Sequence, residues 1–176
     1  WDEKLSEYAE IICKYRIEFI KKLNNKIKKI HSEVTEDKEK LEINYITECE
    51  NKENYLALLK QRRKLDIIKG FTTKGIHRDD FKCLINDKEI EIYGSQGQHR
   101  TAILSLKLAE LYVIYDEIGE YPILLLDDFM SELDEKRRKS FLSYIKDTQV
   151  IITCTDKMEL ENIKLFNVTN GKIVDN

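Results

Sequence analysis

Apolar residues near the amino terminus recur in steps of three and four: Leu5, Tyr8, Ala9, Ile12, Tyr15, Phe19, Leu23, Ile27 and Ile30. That spacing lays one stripe along a helix of about seven turns. At Leu41–Thr47 the period shortens to two in a β-rich composition, which predicts a short strand. Helical spacing returns over 51–69, with Tyr55, Leu58, Leu59 and Leu65 on the apolar side and Lys60, Arg62, Arg63 and Lys64 on the polar side. A polar loop, Gly70–Asp80, leads into "FKCLINDKEIEIY", whose two runs around Asp87-Lys88 predict a β-hairpin.

From Tyr93 the pattern changes. "YGSQGQHRTAILSLKLAELYVIYDE" passes from a glycine-containing turn into a long apolar-striped helix. "YPILLLDD" is a continuous apolar run closed by Asp127 and Asp128, and a run without alternation predicts a parallel-sheet strand covered on both faces. "SELDEKRRKSFLSYIKD" predicts a helix, "QVIITCTD" a second buried strand, and "KLFNVTNGKIVDN" a terminal hairpin turned at Asn170-Gly171. Strand, helix, strand and an antiparallel finish imply an α/β fold with right-handed crossovers, after a mostly helical beginning.

Composition narrows the class. The chain has 176 residues, 41% hydrophobic and 36% charged, enough for one domain or one plus an appendage. No window approaches the apolar length of a membrane span, and the start, "WDEKLSEYAE", lacks a signal peptide's build. A chain that begins mid-pattern without methionine is expected to be a fragment of something longer. Cys13, Cys49, Cys83 and Cys154 are scattered, form no C-x-x-C pair and point to free thiols in a reducing cytosol rather than to zinc. The net charge of −3 conceals an asymmetry: residues 1–74 carry 17 Lys+Arg against 14 Asp+Glu, and the acidic excess lies in the remainder. The first part could face a polyanion, the basic residues Lys60, Arg62, Arg63 and Lys64 foremost, although such a run also serves as a solvated face.

Two stretches carry candidate chemistry. Ser95 with Gln98 three residues on has the form of a capping box, and the same open N–H groups at a helix start can receive a phosphate; the residues alone leave both readings open. Asp127-Asp128 ends a buried strand, where adjacent carboxylates repel each other unless a cation offsets the cost. In phosphate-handling ATPases such a pair forms the Walker B element, the first carboxylate holding Mg²⁺ and the second polarising the attacking water. The alternative is that the two acids cap the following turn.

The order of these pieces resembles the second half of an ABC-type ATPase head: a signature loop (Ser95, Gln96, Gly97, Gln98), a helix, Asp127-Asp128, a D-loop (Ser131 to Asp134) and a switch strand ending at Thr153 and Thr155. "GIHRDDF", "YGSQGQHRT", "ILLLDDFMSELD" and "VIITCTD" narrow the resemblance to the carboxyl-terminal half of the RecF family, while the first seventy residues match that family's helical arm in pattern only. The resemblance implies a helical arm over 1–74 and the C-terminal lobe of the head, mainly parallel sheet with helices, over 75–176. It also implies ATP-dependent DNA binding in the cytoplasm, at duplex near single-strand gaps. ATP would drive homodimerisation, slow hydrolysis would reset the dimer, and RecO and RecR would cooperate in loading RecA. By resemblance Asp127 holds Mg²⁺, Asp128 is catalytic, and Ser95 to Gln98 close on a partner's γ-phosphate.

The chain departs from the RecF pattern at Ile76, where a proline is usual, and at His99, where a second glutamine is usual; Thr153-Cys154-Thr155 lacks the switch histidine of typical ABC ATPases, and there the chain resembles RecF proteins. No G-x-x-x-x-G-K-[ST] cradle occurs in the chain, so it is expected to be inert alone. Other ABC-type heads, of the SMC or transporter kind, and a non-enzymatic DNA- or protein-binding module are the competing readings.

Overall fold

A single helix, α1 (Asp2–Val34), runs through two separate cores. The computed structural model describes residues 1–128, 133–155 and 163–174. In the first half of α1, Ala9 and Cys13 pack with Cys49, Tyr55 and Leu59; in the second, Leu23, Ile27 and Ile30 join Leu41, Ile43, Leu104, Leu108 and Phe141. The sequence stripe therefore holds only over its later part. Leu5, Tyr8, Ile12, Tyr15 and Phe19 stay between 36% and 71% exposed, and the buried face beside them is made of the small residues Ser6, Ala9 and Cys13. Small side chains let α2 (Lys52–Lys69) pack against α1, and hydrophobicity alone cannot announce them. Asn51 caps α2 by accepting the Asn54 N–H at 2.9 Å, and Gly70, at φ +74°, stops it.

Strand β1 (Leu41–Ile46) pairs along its whole length, antiparallel, with β2 (Asp80–Ile85), from Leu41 opposite Ile85 to Ile46 opposite Asp80. The expected hairpin is present but short. Its second strand, β3 (Lys88–Glu89), ends after two residues, and Ile90–Tyr93 forms one helical turn, α3, instead. That turn drives Ile90 into the large core, a stronger pull than continued pairing at the edge of a three-stranded sheet. A strand from the segment expected to be arm thus completes a sheet with a strand from the segment expected to be head.

Helix α4 (Gln96–Ile118) crosses α1 and buries Leu104, Leu108, Ala109 and Leu111. Then β4 (Leu124–Asp127), α5 (Glu135–Tyr144) and β5 (Val150–Thr153) form the expected strand–helix–strand unit, with β4 and β5 parallel and Asp127 opposite Thr153. The fold is α/β. One expectation fails here: Leu126 is buried among α4 and α5 residues, but Leu125 and Ile151 are 70% and 54% exposed. One face of this strand pair is covered by described residues and the other is open. The terminal hairpin, β6 (Asn167–Thr169) and β7 (Lys172–Val174), turns at Asn170 and Gly171 with φ of +51° and +74°, the paired left-handed conformations of a two-residue hairpin turn.

Candidate functional site

The start of α4 is built as the sequence predicts. The Ser95 Oγ accepts the Gln98 N–H at 3.2 Å, and the Gln98 Oε1 accepts the Ser95 N–H at 2.9 Å. Ser95 and Gln96 are exposed, Gly97 and Gln98 half-buried. Since the cap uses the serine oxygen as an acceptor, its hydroxyl proton stays available to an incoming anion; cap and anion contact are compatible.

Two braces hold this turn, and neither was legible in the sequence. On one side Gln98 Nε2 donates to Glu39 Oε1 at 2.9 Å. On the other, the Thr101 hydroxyl donates to the Gly97 carbonyl at 2.8 Å and accepts from Arg137 Nε at 2.7 Å. Arg137 also pairs with Asp134, the N-cap of α5, whose side chain accepts the Arg137 N–H at 2.9 Å. That N–H first, and then the guanidinium charge, hold the Asp134 carboxyl below its ordinary range. These groups line a cleft of about 460 Å³ together with Glu36, Lys38 and Lys136. Lys136 and Lys38 hold the Glu36 carboxyl down to about 2.

A second cluster forms where β4 and β5 end. The Thr153 hydroxyl donates to Asp127 Oδ1 at 2.5 Å and accepts the Asp128 N–H at 3.1 Å, and that N–H also reaches the Thr153 carbonyl at 3.2 Å. Asp128 sits at φ +49°, a left-handed conformation that aspartate tolerates better than most residues. Parallel register thus brings the expected Asp127-Asp128 pair and the expected switch-strand Thr153 into one constellation, while Thr155 lies exposed two residues on. None of these residues lines the cleft beside Ser95. Ser131, the other D-loop residue expected from sequence, lies outside the described residues. The described residues offer no cluster of three or more His, Cys, Asp or Glu for a metal. One or two carboxylates with hard oxygen neighbours nevertheless fit Mg²⁺, which takes much of its shell from phosphate and water.

The basic residues of α2 differ in exposure and pairing. Lys60, Arg63 and Lys64 are exposed, Arg62 is half-buried, and Arg63 is paired with Asp2 at the start of α1. The "GIHRDD" stretch proves to be an anchor: the Asp79 side chain, 3% exposed, receives the Tyr45 hydroxyl and the Arg16 guanidinium, the latter at 3.0 Å. Gly75, at φ +143°, faces the Tyr55 hydroxyl so closely that a Cβ there would overlap it. His77 contacts the Thr72 carbonyl at 3.0 Å and Arg78 lies over the Phe71 ring.

No family model matches the chain. The DNA replication and repair protein RecF of Clostridium perfringens is 45% identical over 182 residues, covering 98% of this chain and 50% of that protein. RecF of Clostridium tetani is 46% identical over 189 residues, covering 100% of this chain and 52% of that one. A solved structure of the recombination mediator protein RecF-ATP, in the RecFOR pathway, superposes with a TM-score of 0.84 at 41% identity and covers 98% of this chain and 48% of that chain. Over nearly its whole length the chain is similar to one half of RecF. It spans about half the length of the RecF proteins it matches. The RecF likeness extends over the first seventy residues, where sequence motifs were silent, because the alignments cover almost the whole chain. Among the described residues, no helix is long and apolar enough to cross a membrane.

Proposed function

We propose that this chain supplies the signature and Walker B elements of a RecF-type ATPase that binds duplex DNA near single-strand gaps in replication and recombinational repair. In this reading the protein is cytoplasmic and works with RecO and RecR to load RecA. ATP closes a head-to-head dimer: Ser95, Gln96, Gly97 and Gln98 of one subunit, with D-loop residues Ser131 and Asp134, meet the nucleotide held by its partner. Slow hydrolysis reopens it. Residues 1–74 act as the arm and 75–176 as part of the head, with Lys60, Arg62, Arg63 and Lys64 offered to DNA phosphates.

Gly97 carries the reading. Among the described residues, a Cβ at this position would meet only Arg137 Nη2 at 3.6 Å and Ser95 Oγ at 3.9 Å, ordinary van der Waals contacts. Packing among the described residues therefore gives no reason for a glycine in this helix, a residue that costs up to about 1 kcal/mol relative to alanine in a helix interior. A group arriving from outside and lying against the backbone does give one.

At the other half-site, Thr153 ties the Asp127 side chain to the Asp128 backbone; Asp127 would hold the cation and Asp128 would orient the attacking water. Mg²⁺, when bound there, supplies positive charge to the phosphate oxygens. In a full-length RecF-type protein carrying these residues, Asp128→Asn should retain ATP binding and dimerisation while turnover disappears. Turnover that survives alongside lost nucleotide binding would contradict the assignment. The trans role is tested by mixing Ser95→Arg protein with a variant lacking the cradle lysine. Each homodimer is dead for a different reason, but the mixed dimer holds one intact site. Partial recovery of DNA-stimulated hydrolysis supports the clamp; heterodimers without recovery leave Ser95 a simple cap.

A further inference from the structure

Polar contacts run from the interior of the molecule to the opening of α4. Ser105 and His31 are both fully buried, and the Ser105 Oγ lies 2.9 Å from His31 Nδ1. His31 Nε2 lies 3.3 Å from Glu39 Oε2, an ion-pair distance without in-line hydrogen-bond geometry. Glu39 Oε1 accepts Gln98 Nε2 at 2.9 Å, and Gln98 Oε1 accepts the Ser95 N–H. With Nε2 facing the Glu39 carboxylate and Nδ1 facing the Ser105 hydroxyl, a neutral imidazole protonated on Nε2 would meet an acceptor at one nitrogen and a donor at the other. The same logic orients Gln98: only one placement of its amide puts oxygen on Ser95 N–H and nitrogen on Glu39.

An exposed capping-box glutamine can swing away from its helix. Gln98 is held at both ends of its amide, and the outer hold comes from a residue 59 positions earlier in the chain. We propose that Glu39, backed by His31, is a positioning residue of the signature turn, fixing Gln98 so that Ser95 and the first-turn N–H groups are already ordered when a partner's phosphate reaches them. This rests on the phosphate-clamp reading given above. Its physical content is preorganisation: order supplied by Glu39 in the free protein does not have to be supplied at closure. Glu39 itself touches no phosphate in this scheme.

The test is a double-mutant cycle on ATP-driven self-association of the full-length RecF-type protein, read by sedimentation. Glu39→Ala should weaken association about tenfold, the loss of one hydrogen bond to a charged group. Gln98→Ala should weaken it at least as much, and the double variant should be no weaker than Gln98→Ala alone. Glu39→Gln keeps an acceptor for Gln98 and should recover most of the loss. Additive losses, or a Glu39→Ala protein that associates within twofold of the parent, would overturn the proposal. Amide spectra of the 176-residue chain separate this from failure of the clamp. If Ser95→Arg associates normally, the clamp reading falls, and the positioning role is then judged by the Ser95 backbone and Gln98 side-chain resonances. These should shift in Glu39→Ala and stay in Glu39→Gln; unmoved resonances in both variants would dispose of it.

Discussion

Gly97→Ala separates the chain's own interests from those of a partner. With room for a Cβ and helical surroundings, the substitution should stabilise the isolated chain by up to about 1 kcal/mol in urea unfolding. In the full-length protein the added methyl should impede ATP-driven dimerisation. A variant both more stable and fully able to dimerise would remove the argument drawn from this glycine. His31 gives a second residue-scale expectation. Burial holds its imidazole below the ordinary range against the pull of Glu39. The unfolded chain therefore takes up this proton at higher pH than the folded one. Stability is complete above about pH 6.5 and declines as the pH falls from there toward the depressed folded value. Urea midpoints should drop between pH 7.5 and 5, and His31→Gln should flatten that drop; parallel profiles would assign it elsewhere. The sequence revealed Ser95, Gln98, Asp127, Asp128 and Thr153 because each belongs to a short local pattern. It concealed Glu39 and His31 because their partners are set by the approach of α1 to α4, which no local spacing encodes. Arg137 was concealed too, because its contact with Thr101, 36 positions earlier, needs the fold.

Among elements, α1 shows how far periodicity can be trusted. Steps of three and four located the helix, and the second half of its stripe is core. Ile27→Ala, at a site with no exposure, should cost about 2–5 kcal/mol. Ile12→Ala, 36% exposed though on the same predicted stripe, should cost much less. Equal losses in denaturant titrations would mean that the outer half of the stripe is buried in solution. The hairpin taught the opposite lesson. "EIEIY" alternates as a strand should, but a helical turn buries Ile90 where two further pairs would have left it at an edge. The pairing of β1 with β2 could not be read, since a strand's composition names no partner.

For the molecule as a whole, the unbroken apolar run Ile123–Leu126 describes a strand covered on both sides, yet the face bearing Leu125 and Ile151 is open here. The chain spans about half the length of the RecF proteins it matches, and we propose that the remainder of a full-length head covers this face. Leu125→Asp should then leave the isolated chain within about 0.5 kcal/mol of the parent, as an exposed change does. It should destabilise the full-length protein by several-fold more, since a lone carboxylate would be buried. Similar effects in both proteins would place the cover elsewhere.

A helix of 33 residues is about 50 Å long, and α1 contributes side chains to both cores along that length. The two cores cannot open one after the other without breaking the helix between them. Their amides, at 9–13 and at 23–31, should exchange with solvent through one common opening that exposes the same surface. Ile17 lies between the two groups and is 51% exposed, so proline there would interrupt the backbone ladder with little loss of packing. In Ile17→Pro the two sets of amides should exchange independently, the 9–13 set first, turning one cooperative unit into two.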